Sequence, residues 1–304
     1  MARSRNTKKT VKKLKKLSPK QLLLVVILAV ILTVVETQCT GGDTAAPTPS
    51  ALSGETSVHF LDVGQGDATL FLSGEQAVLI DASVSGASDT IISYLDELGV
   101  DTLDAVIATH PHADHIGGMR KVIEAVKTEI VYMSNGTSTT QTYDKLLTEI
   151  EEQNIELIVP EIGDVLTLDS GATFTFLSPD PNVNFDNLNN YSLVCMFEAG
   201  GTRVLMTGDA EAEIEEHLVA SGVNLDCDIL KVGHHGSNTS SSPAFLKAAS
   251  PETAVISCAK ENDYGHPHRE TLEALAALGV DDIRYTFDGT VTLRIETTAE
   301  SEAS

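Results

Sequence analysis

Apolar and polar positions change their period repeatedly between residues 55 and 297. "SVHFLDV", "DATLFLS" and "QAVLIDAS" are short apolar stretches split by "GQG" and "SGE", which predicts three strands in a meander. "DTIISYLDELGV" then has helical spacing, and "LDAVIATH" reads as a buried strand ending at His110. Helix "GGMRKVIEAVKT", strand "EIVYMS", helix "TYDKLLTEIEEQN" and strand "IELIVP" come next, before "DVLTLDSGATFTFLSP" alternates as a hairpin. "YSLVCMFEAGGTRVLMTGD" is a second hairpin, turned by "AGG". Strands "CDILKVG" and "TAVISCA" then alternate with helices "AEIEEHLVASG", "PAFLKAAS" and "ETLEALAALG", and "DIRYTF" and "TVTLRIE" close the chain as strands. Meandering strands first and strand–helix alternation afterwards predict an α/β architecture of two sheets with helices packed outside them. No repeat of short period is present.

The amino terminus reads differently. Residues 1–20 form a basic flank, and "LLLVVILAVILTVV" at 22–35 lies within an apolar segment spanning 21–36. That run is short for a full span and also suits the core of a signal peptide, so a transmembrane anchor and a signal segment both stay open. Either exports the remainder of the chain, and the basic flank holds the first segment on the cytoplasmic side. The absence of a clean small-x-small cleavage site favours an uncleaved single-pass anchor, with the body outside the cytoplasm, over secretion after cleavage. Cys39 lacks the small preceding residue that lipidation wants, since Gln38 stands there. Residues 37–54 form a Gly/Pro/Ser/Thr linker, residues 55–297 one folded domain, and the acidic tail 298–304 is expected to be disordered.

Charge narrows the partners. The first twenty residues hold nine of the twenty Lys and Arg and no acid, so the other 284 carry eleven basic groups against 44 acidic ones, a formal charge of −33. A body that acidic repels nucleic acid and anionic lipid at long range unless a local patch or bound metal reverses the field. Cysteine usage adds little. Cys195, Cys227 and Cys258 lie in strand-like apolar stretches without CxxC spacing, which points to buried thiols and against a disulfide framework.

The candidate chemistry centres on "ATHPHADHIGG", where His110, His112, Asp114 and His115 fall within six positions. A rigid strand end delivers His110, and a turn running into a helix carries the rest, so the ligands converge without a long loop to immobilise. His110 and His112 can face one position, and Asp114 and His115 a second. Imidazoles with a carboxylate suit zinc, or iron and manganese as the carboxylate share rises.

This arrangement resembles the HxHxDH signature of the metallo-β-lactamase superfamily. "VLIDAS" is similar to its first motif, a strand ending at Asp81 that orients the metal loop, and "VLMTGD" ends at Asp209, which matches the carboxylate that bridges two metals. More narrowly, "LDVGQGDA", "HPHADHIGG", "NYSLVCMF", "LMTGD", "LKVGHHGSNTSSS" and "NDYGHPH", in that order across residues 56–296, resemble the hydrolase domain of ComEC-type competence proteins. "HHG" also recurs in the related phosphorylcholine esterases. The resemblance implies a four-layer αββα sandwich holding two divalent metal ions, zinc first and manganese as the alternative, at the rim between the sheets.

It also implies roles. The metal ligands are His110, His112, Asp114, His115, Asp209 and His235, with His266 as the rival to His235 for closing the second position. Asp114 also orients a metal-bridged hydroxide, and His234 or His266 steadies developing charge or protonates the leaving group. Asp81 supports the site, and Asp67 bears on it more than Asp62 does. The chain departs from many superfamily members in having no histidine between His115 and Asp209, where "NLNNYSLV" falls instead. That leaves one metal with an open position, and Asn190 or Ser192 is placed to hydrogen-bond substrate there. Lys231, just before "VGHHG", is the best-placed cation for an anionic substrate, ahead of Arg203 and Lys260. His217 is expected on the surface, His59 in a structural role, and His268 outside the site.

Three functions are consistent with these features. The first is a membrane-tethered phosphodiesterase that cuts nucleic acid outside the cytoplasm, as the resemblance implies and the charge opposes. The second is hydrolysis of a small phosphodiester, lactam or lactone. The third is a metal-stabilised envelope binding module without catalysis.

Overall fold

The computed structural model describes residues 55–296. The basic flank, the apolar segment 21–36, the linker with Cys39, and the tail lie outside the described residues. Among the described residues no helix is long and apolar enough to cross a membrane.

The amino-terminal half supplies β1 (Thr56–Phe60), β2 (Thr69–Ser73), β3 (Gln76–Ile80), β4 (Thr102–Leu103), β5 (Ala105–Ala108), β6 (Lys127–Thr128), β7 (Ile130–Met133) and β8 (Glu156–Ile158). The carboxy-terminal half supplies β9 (Val165–Thr167), β10 (Thr173–Ser178), β11 (Val194–Ala199), β12 (Thr202–Met206), β13 (Ile229–Lys231), β14 (Thr253–Ile256), β15 (Asp282–Tyr285) and β16 (Val291–Ile295). Two seven-stranded sheets result, ordered β16-β1-β2-β3-β5-β7-β8 and β15-β14-β13-β12-β11-β10-β9, with β4 and β6 forming a small separate pair. The expected meander is present as antiparallel β1-β2-β3, and both expected hairpins form.

Alternation along the strands builds four layers. In β3, Val78 and Ile80 face the apolar core between the sheets, while Ala77 and Leu79 face the core under the amino-terminal helices. In β11, Cys195 and Phe197 face inward, while Val194 and Met196 meet the carboxy-terminal helices. Strands buried on both faces read as continuous apolar runs, which is why these stretches lack a polar side. Three rings centre the inner core: Phe71 lies 5.0 Å from Phe174 and 4.7 Å from Phe197 between centroids. Each buried phenylalanine contributes roughly 1.5–3 kcal/mol. The architecture is therefore the four-layer αββα sandwich that the resemblance implies.

Local signals set the helices. In α1 (Ser88–Glu97) and α4 (Gln141–Glu152), Ile91/Leu95 and Leu146/Ile150 repeat at i, i+4 and are buried. The Thr140 side chain accepts from the Tyr143 amide at 3.3 Å and caps α4. Between them lie α2 (Ala113–Ile116) and α3 (Met119–Ala125). Helix α5 (Ala212–Ser221) stops at Gly222, whose φ of 72° is costless only for glycine. Ser242 caps α6 (Pro243–Ala249), and α7 (Arg269–Ala277) packs beside it.

Parallel pairing positions the site. β3 pairs parallel to β5 in one sheet, and β12, β13 and β14 run parallel in the other. Their carboxyl ends open at a shared rim, where Asp81 follows β3, His110 follows β5, Asp209 follows β12, His234 and His235 follow β13, and Ser257 follows β14. Ligand sites gather at such ends because the loops there are free to vary while the strands hold them.

Candidate metal centre

The metal loop is clamped by backbone before any side chain acts. The Ala82 amide donates to the His115 carbonyl at 2.7 Å, Asp67 to Asp114 at 3.1 Å, and Gly118 to Ser83 at 3.0 Å. Gly66, at φ 131°, lies where an added Cβ would meet the Asp114 carbonyl at 2.5 Å, so "GQGD" is a brace for this loop. Asp81, Ser83, His234 and His235 all sit at positive φ, which costs about 1–3 kcal/mol each for a non-glycine residue.

Hydrogen bonds then set the imidazole tautomers. His115 Nδ1 lies 2.7 Å from Asp81 Oδ2, a carboxylate that can only accept, so Nδ1 carries the proton and Nε2 turns toward Asp209 Oδ2 at 3.2 Å. His235 Nδ1 donates to the Ser257 carbonyl at 3.0 Å and lies 3.2 Å from Asp67 Oδ1. Its Nε2 therefore faces Asp114 Oδ2 at 3.4 Å and Asp209 Oδ2 at 3.5 Å. The Thr109 hydroxyl gives its hydrogen to Asp81 Oδ2 at 2.7 Å and is left to accept from His110 Nδ1 at 3.1 Å. Nε2 of His110 is then left 3.0 Å from His112 Nδ1 and 3.9 Å from Asp209 Oδ2.

The donor atoms of Asp114, His115, Asp209 and His235 all lie within 4.8 Å of one another. His115 Nε2, His235 Nε2 and Asp209 Oδ1 are buried without a hydrogen-bond partner. Orphaned buried polar atoms cost about 1–3 kcal/mol each. Two orphaned imidazole nitrogens that both face Asp209 Oδ2, at 3.2 and 3.5 Å, are the signature of a cation position, so these residues fit a divalent metal.

Titration behaviour carries the same message. Burial opposes charge on His115, yet Asp209 and Asp81 outweigh it and hold the imidazole well above its ordinary range. Burial likewise opposes charge on His235, but Asp209 and Asp67 push it up to about 10. Burial and the charge of His115 hold His110 well below its usual value. Burial opposes the ionised form of Asp209, which the neighbouring His115 and His235 nevertheless hold well below the usual carboxylate range. A field that draws protons onto two buried imidazoles is one that a bound cation satisfies.

The cavity above these groups has a volume of about 300 Å³ and is bordered by Gln65, His112, Asp114, Asn189, Asp209, His234, His235, Tyr264 and His266, among others. His234 Nε2 lies 3.7 Å from Asp209 Oδ2, while its Nδ1 is held by Thr239 Oγ1 at 2.9 Å and Glu211 Oε1 at 3.3 Å. His266 stacks on Tyr264 at the mouth, with centroids 5.5 Å apart.

Three expectations need correction. Lys231 is fully buried and paired to Asp67 Oδ2 at 2.8 Å, so its ammonium faces the inside of the sandwich and not a substrate. Asn190 donates to Glu213 at 2.7 Å and accepts from the Glu211 amide at 3.1 Å, which ties both ends of its side chain to the start of α5. Ser192 Oγ accepts from the Asp209 amide at 3.0 Å and lies 3.3 Å from His110 Nδ1, so it positions ligands and does not face the cavity. Arg203 is pinned by Glu198 at 3.0 Å and by backbone carbonyls, while Lys260 is exposed. His217 is exposed, His59 is buried, and His268 caps α7 outside the cavity, accepting from the Asn238 amide at 3.0 Å. Cys195, Cys227 and Cys258 are buried and unpaired.

Residues 61–260 match the Metallo-beta-lactamase superfamily. The chain belongs to that superfamily. Within it, the chain is 33% identical over 264 residues to ComE operon protein 3 of Bacillus subtilis, covering 80% of this chain and 33% of that one. It is 33% identical over 237 residues to competence protein ComA of Neisseria gonorrhoeae, covering 77% and 32%. The chain thus spans about a third of these relatives' length. The metallo-beta-lactamase fold protein YhfI of Bacillus subtilis superposes with a TM-score of 0.53 at 15% identity, over 79% of this chain and all of that one, which shows the fold. Fold and donor cluster together are those of a metal-dependent hydrolase.

Sequence reasoning missed Gln65, Asn189, Glu211 and Tyr264. All four act through tertiary placement; the quoted motifs "LDVGQGDA", "NLNNYSLV" and "NDYGHPH" contain Gln65, Asn189 and Tyr264 but give them no role, and no motif contains Glu211.

Proposed function

We propose that this protein is a metal-dependent phosphodiesterase that cleaves nucleic acid, held at the membrane by its amino-terminal segment with the hydrolase domain outside the cytoplasm. The observation that carries the proposal is the cluster of Asp114, His115, Asp209 and His235 donor atoms within 4.8 Å, two imidazole nitrogens among them buried and unpartnered, with His110 Nε2 3.9 Å from Asp209 and His112 beside it on the cavity. We assign the six as ligands of two divalent ions, with His235 in place of His266 because its Nε2 alone of the two is aimed between Asp114 and Asp209. Such ions supply a water of near-neutral pKa and a clamp for phosphate oxygens.

The chain's own groups do the rest. Asp209 Oδ2 lies between the two histidine sets and holds them in one frame. Burial first, then its neighbours His235 and His234, push His266 down to about 4, so it borders the cavity as a neutral ring. His234 is lowered as well, mainly by burial. Both therefore serve the leaving oxygen as hydrogen-bonding groups at neutral pH, not as standing cations. Tyr264, 64% exposed at the mouth, offers a face on which a base can stack, worth about 1–3 kcal/mol per base in single-strand binders. Similarity to a protein named for competence favours the nucleic-acid reading.

One observation favours a smaller diester instead. Lys231 is buried and Arg203 is pinned, so the cationic path a polyanion needs is thin among the described residues. Full-length protein in mild detergent, loaded with zinc or manganese, would be offered fluorescent single-stranded DNA and a chromogenic phosphodiester beside a His112→Ala control. Metal-dependent cutting of DNA that the control lacks is expected. Turnover of the small diester alone would replace the nuclease reading, and silence on both would discard phosphodiester hydrolysis.

A further inference from the structure

We infer that the side-chain carbonyl of Asn189 is a ligand of the cation position built on His110 and His112. The two positions are then chemically unequal, with this one the weaker because it has one anionic ligand against its neighbour's two. The inference rests on the metal-dependent reading above.

The two halves of the centre differ in what they offer. One gathers two imidazoles and two carboxylates, Asp114, His115, Asp209 and His235, within 4.8 Å. The other has His110 Nε2 and His112 Nδ1, 3.0 Å apart, with Asp209 Oδ2 3.9 Å from the former. The 3₁₀ turn Leu188–Tyr191 leads to this second half, since the Leu193 amide that follows it donates to the Thr109 carbonyl, next to His110, at 3.0 Å. Its next residue, Ser192, touches both Asp209 and His110, and the Ser192 amide donates to the Asn189 carbonyl at 3.0 Å. The turn that locks two ligands in place therefore also carries Asn189.

The amide of that side chain has one orientation. Nδ2 donates to Glu211 Oε1 at 2.9 Å, and a carboxylate cannot donate in return, so the nitrogen is fixed there and the oxygen turned away from it. That oxygen, Oδ1, is buried and has no hydrogen-bond partner. The residue is 7% exposed and borders the cavity alongside His112 and Asp209. Burying an amide oxygen unpaired costs about 1–3 kcal/mol unless something electropositive meets it. Glu211 adds to this by polarising the amide from its nitrogen end, which deepens the negative charge on oxygen. Amide carbonyls are ligands for manganese, magnesium and calcium more than for zinc. A position of two imidazoles, one shared carboxylate and one carbonyl thus takes manganese, but less tightly than its neighbour with two carboxylates does.

Metal-free full-length protein would be titrated with Mn²⁺, with free ion followed by electron paramagnetic resonance and bound ion counted by mass spectrometry. Two classes of ion are expected. In Asn189→Leu the weaker class should lose affinity at least about tenfold, since even outer partners of metal ligands are worth about 10–100-fold. The tighter class should stay within about twofold, well below that range. Asn189→Asp made together with Glu211→Gln places a charge at the same atom and keeps the hydrogen bond with its donor reversed, so the pair guards against a Leu variant that fails to fold. It should tighten the weaker class for Mn²⁺ by at least about tenfold. Wild-type affinities in both classes for either variant would overturn the inference. His112→Ala must remove the weaker class, and if it does so while Asn189→Leu does not, the metal reading stands and Asn189 alone falls. A wild-type chain that binds no Mn²⁺ or Zn²⁺ removes both.

Discussion

Lys231 carries its charge into the space between the sheets, where Asp67 meets it at 2.8 Å and the Val232 carbonyl at 3.0 Å. Burial works against ionised Asp67, yet Lys231 and His235 lower it to about 2. The pair is a second layer of the metal centre, because Asp67 also lies 3.2 Å from His235 Nδ1. Lys231→Met leaves Asp67 charged and short of its partner, so the unfolding free energy should fall by about 3–5 kcal/mol in chemical denaturation. A variant of unchanged stability but raised KM would return Lys231 to the substrate. His59 provides a separate pH dependence far from the metal loop. Its ring is held by Ser57 and Tyr94, each at 2.8 Å, and burial lowers it to about 4. Between its ordinary 6.5 and that value the unfolded chain binds a proton that the folded chain refuses. Stability is thus full above the window and falls as pH drops through it, by up to about 3 kcal/mol. The His59→Gln chain should show a flatter stability profile across the same window, and parallel profiles would refute the assignment. At this scale the ligand cluster was legible because HxHxDH crowds donors in sequence. The partners of Asn190, Ser192 and Lys231 were not, since each is found only where two sheets and a turn meet.

At the scale of elements, apolar periodicity found the strands and helices because both faces of nearly every central strand are buried. Connectivity was harder to read. The closing strand β16 leaves the second sheet and pairs antiparallel with β1, Thr56 opposite Ile295, so the first sheet takes an edge from the far end of the chain. Nothing in the apolar pattern of "TVTLRIE" distinguishes the two sheets it can join. The turn Leu188–Tyr191 was equally silent, being short and polar, although it seats Asn189 and Ser192. The "GQGD" segment is the strongest case of a connection that shapes the site. A Cβ at Gly66 would stand 2.5 Å from both the Asp114 carbonyl and Ser83 Oγ, and the backbone atom cannot yield without moving the metal loop. Gly66→Ala is expected to lower Mn²⁺ affinity at least about tenfold, as loss of a supporting contact does, and to depress the melting temperature. Normal metal binding with only a lower melting temperature would separate the brace from the ligands and count against that role.

The whole molecule sets a condition that neither the ligands nor the strands can supply. Residues 21–304 carry eleven basic groups against 44 acidic ones, and the described cations near the centre are buried, pinned or few. A nuclease with a basic track loses affinity steeply as salt rises, because it gives up the release of condensed counterions. An acidic hydrolase approaching a polyanion meets the opposite situation: its long-range field repels the substrate, and attraction is confined to the cations at the centre itself. Raising monovalent salt from about 0.01 M to about 0.1 M shortens the Debye length from about 30 Å to about 10 Å. That range removes repulsion from the distant surface while leaving contacts inside the cavity nearly intact. For an oligonucleotide, kcat/KM should therefore rise or hold level over this interval, while the value for a small chromogenic diester stays flat. The ratio of the two isolates the field of the body from the chemistry of the site. A steep fall for the oligonucleotide alone would mean that a cationic path exists on the hydrolase domain which the charge count conceals.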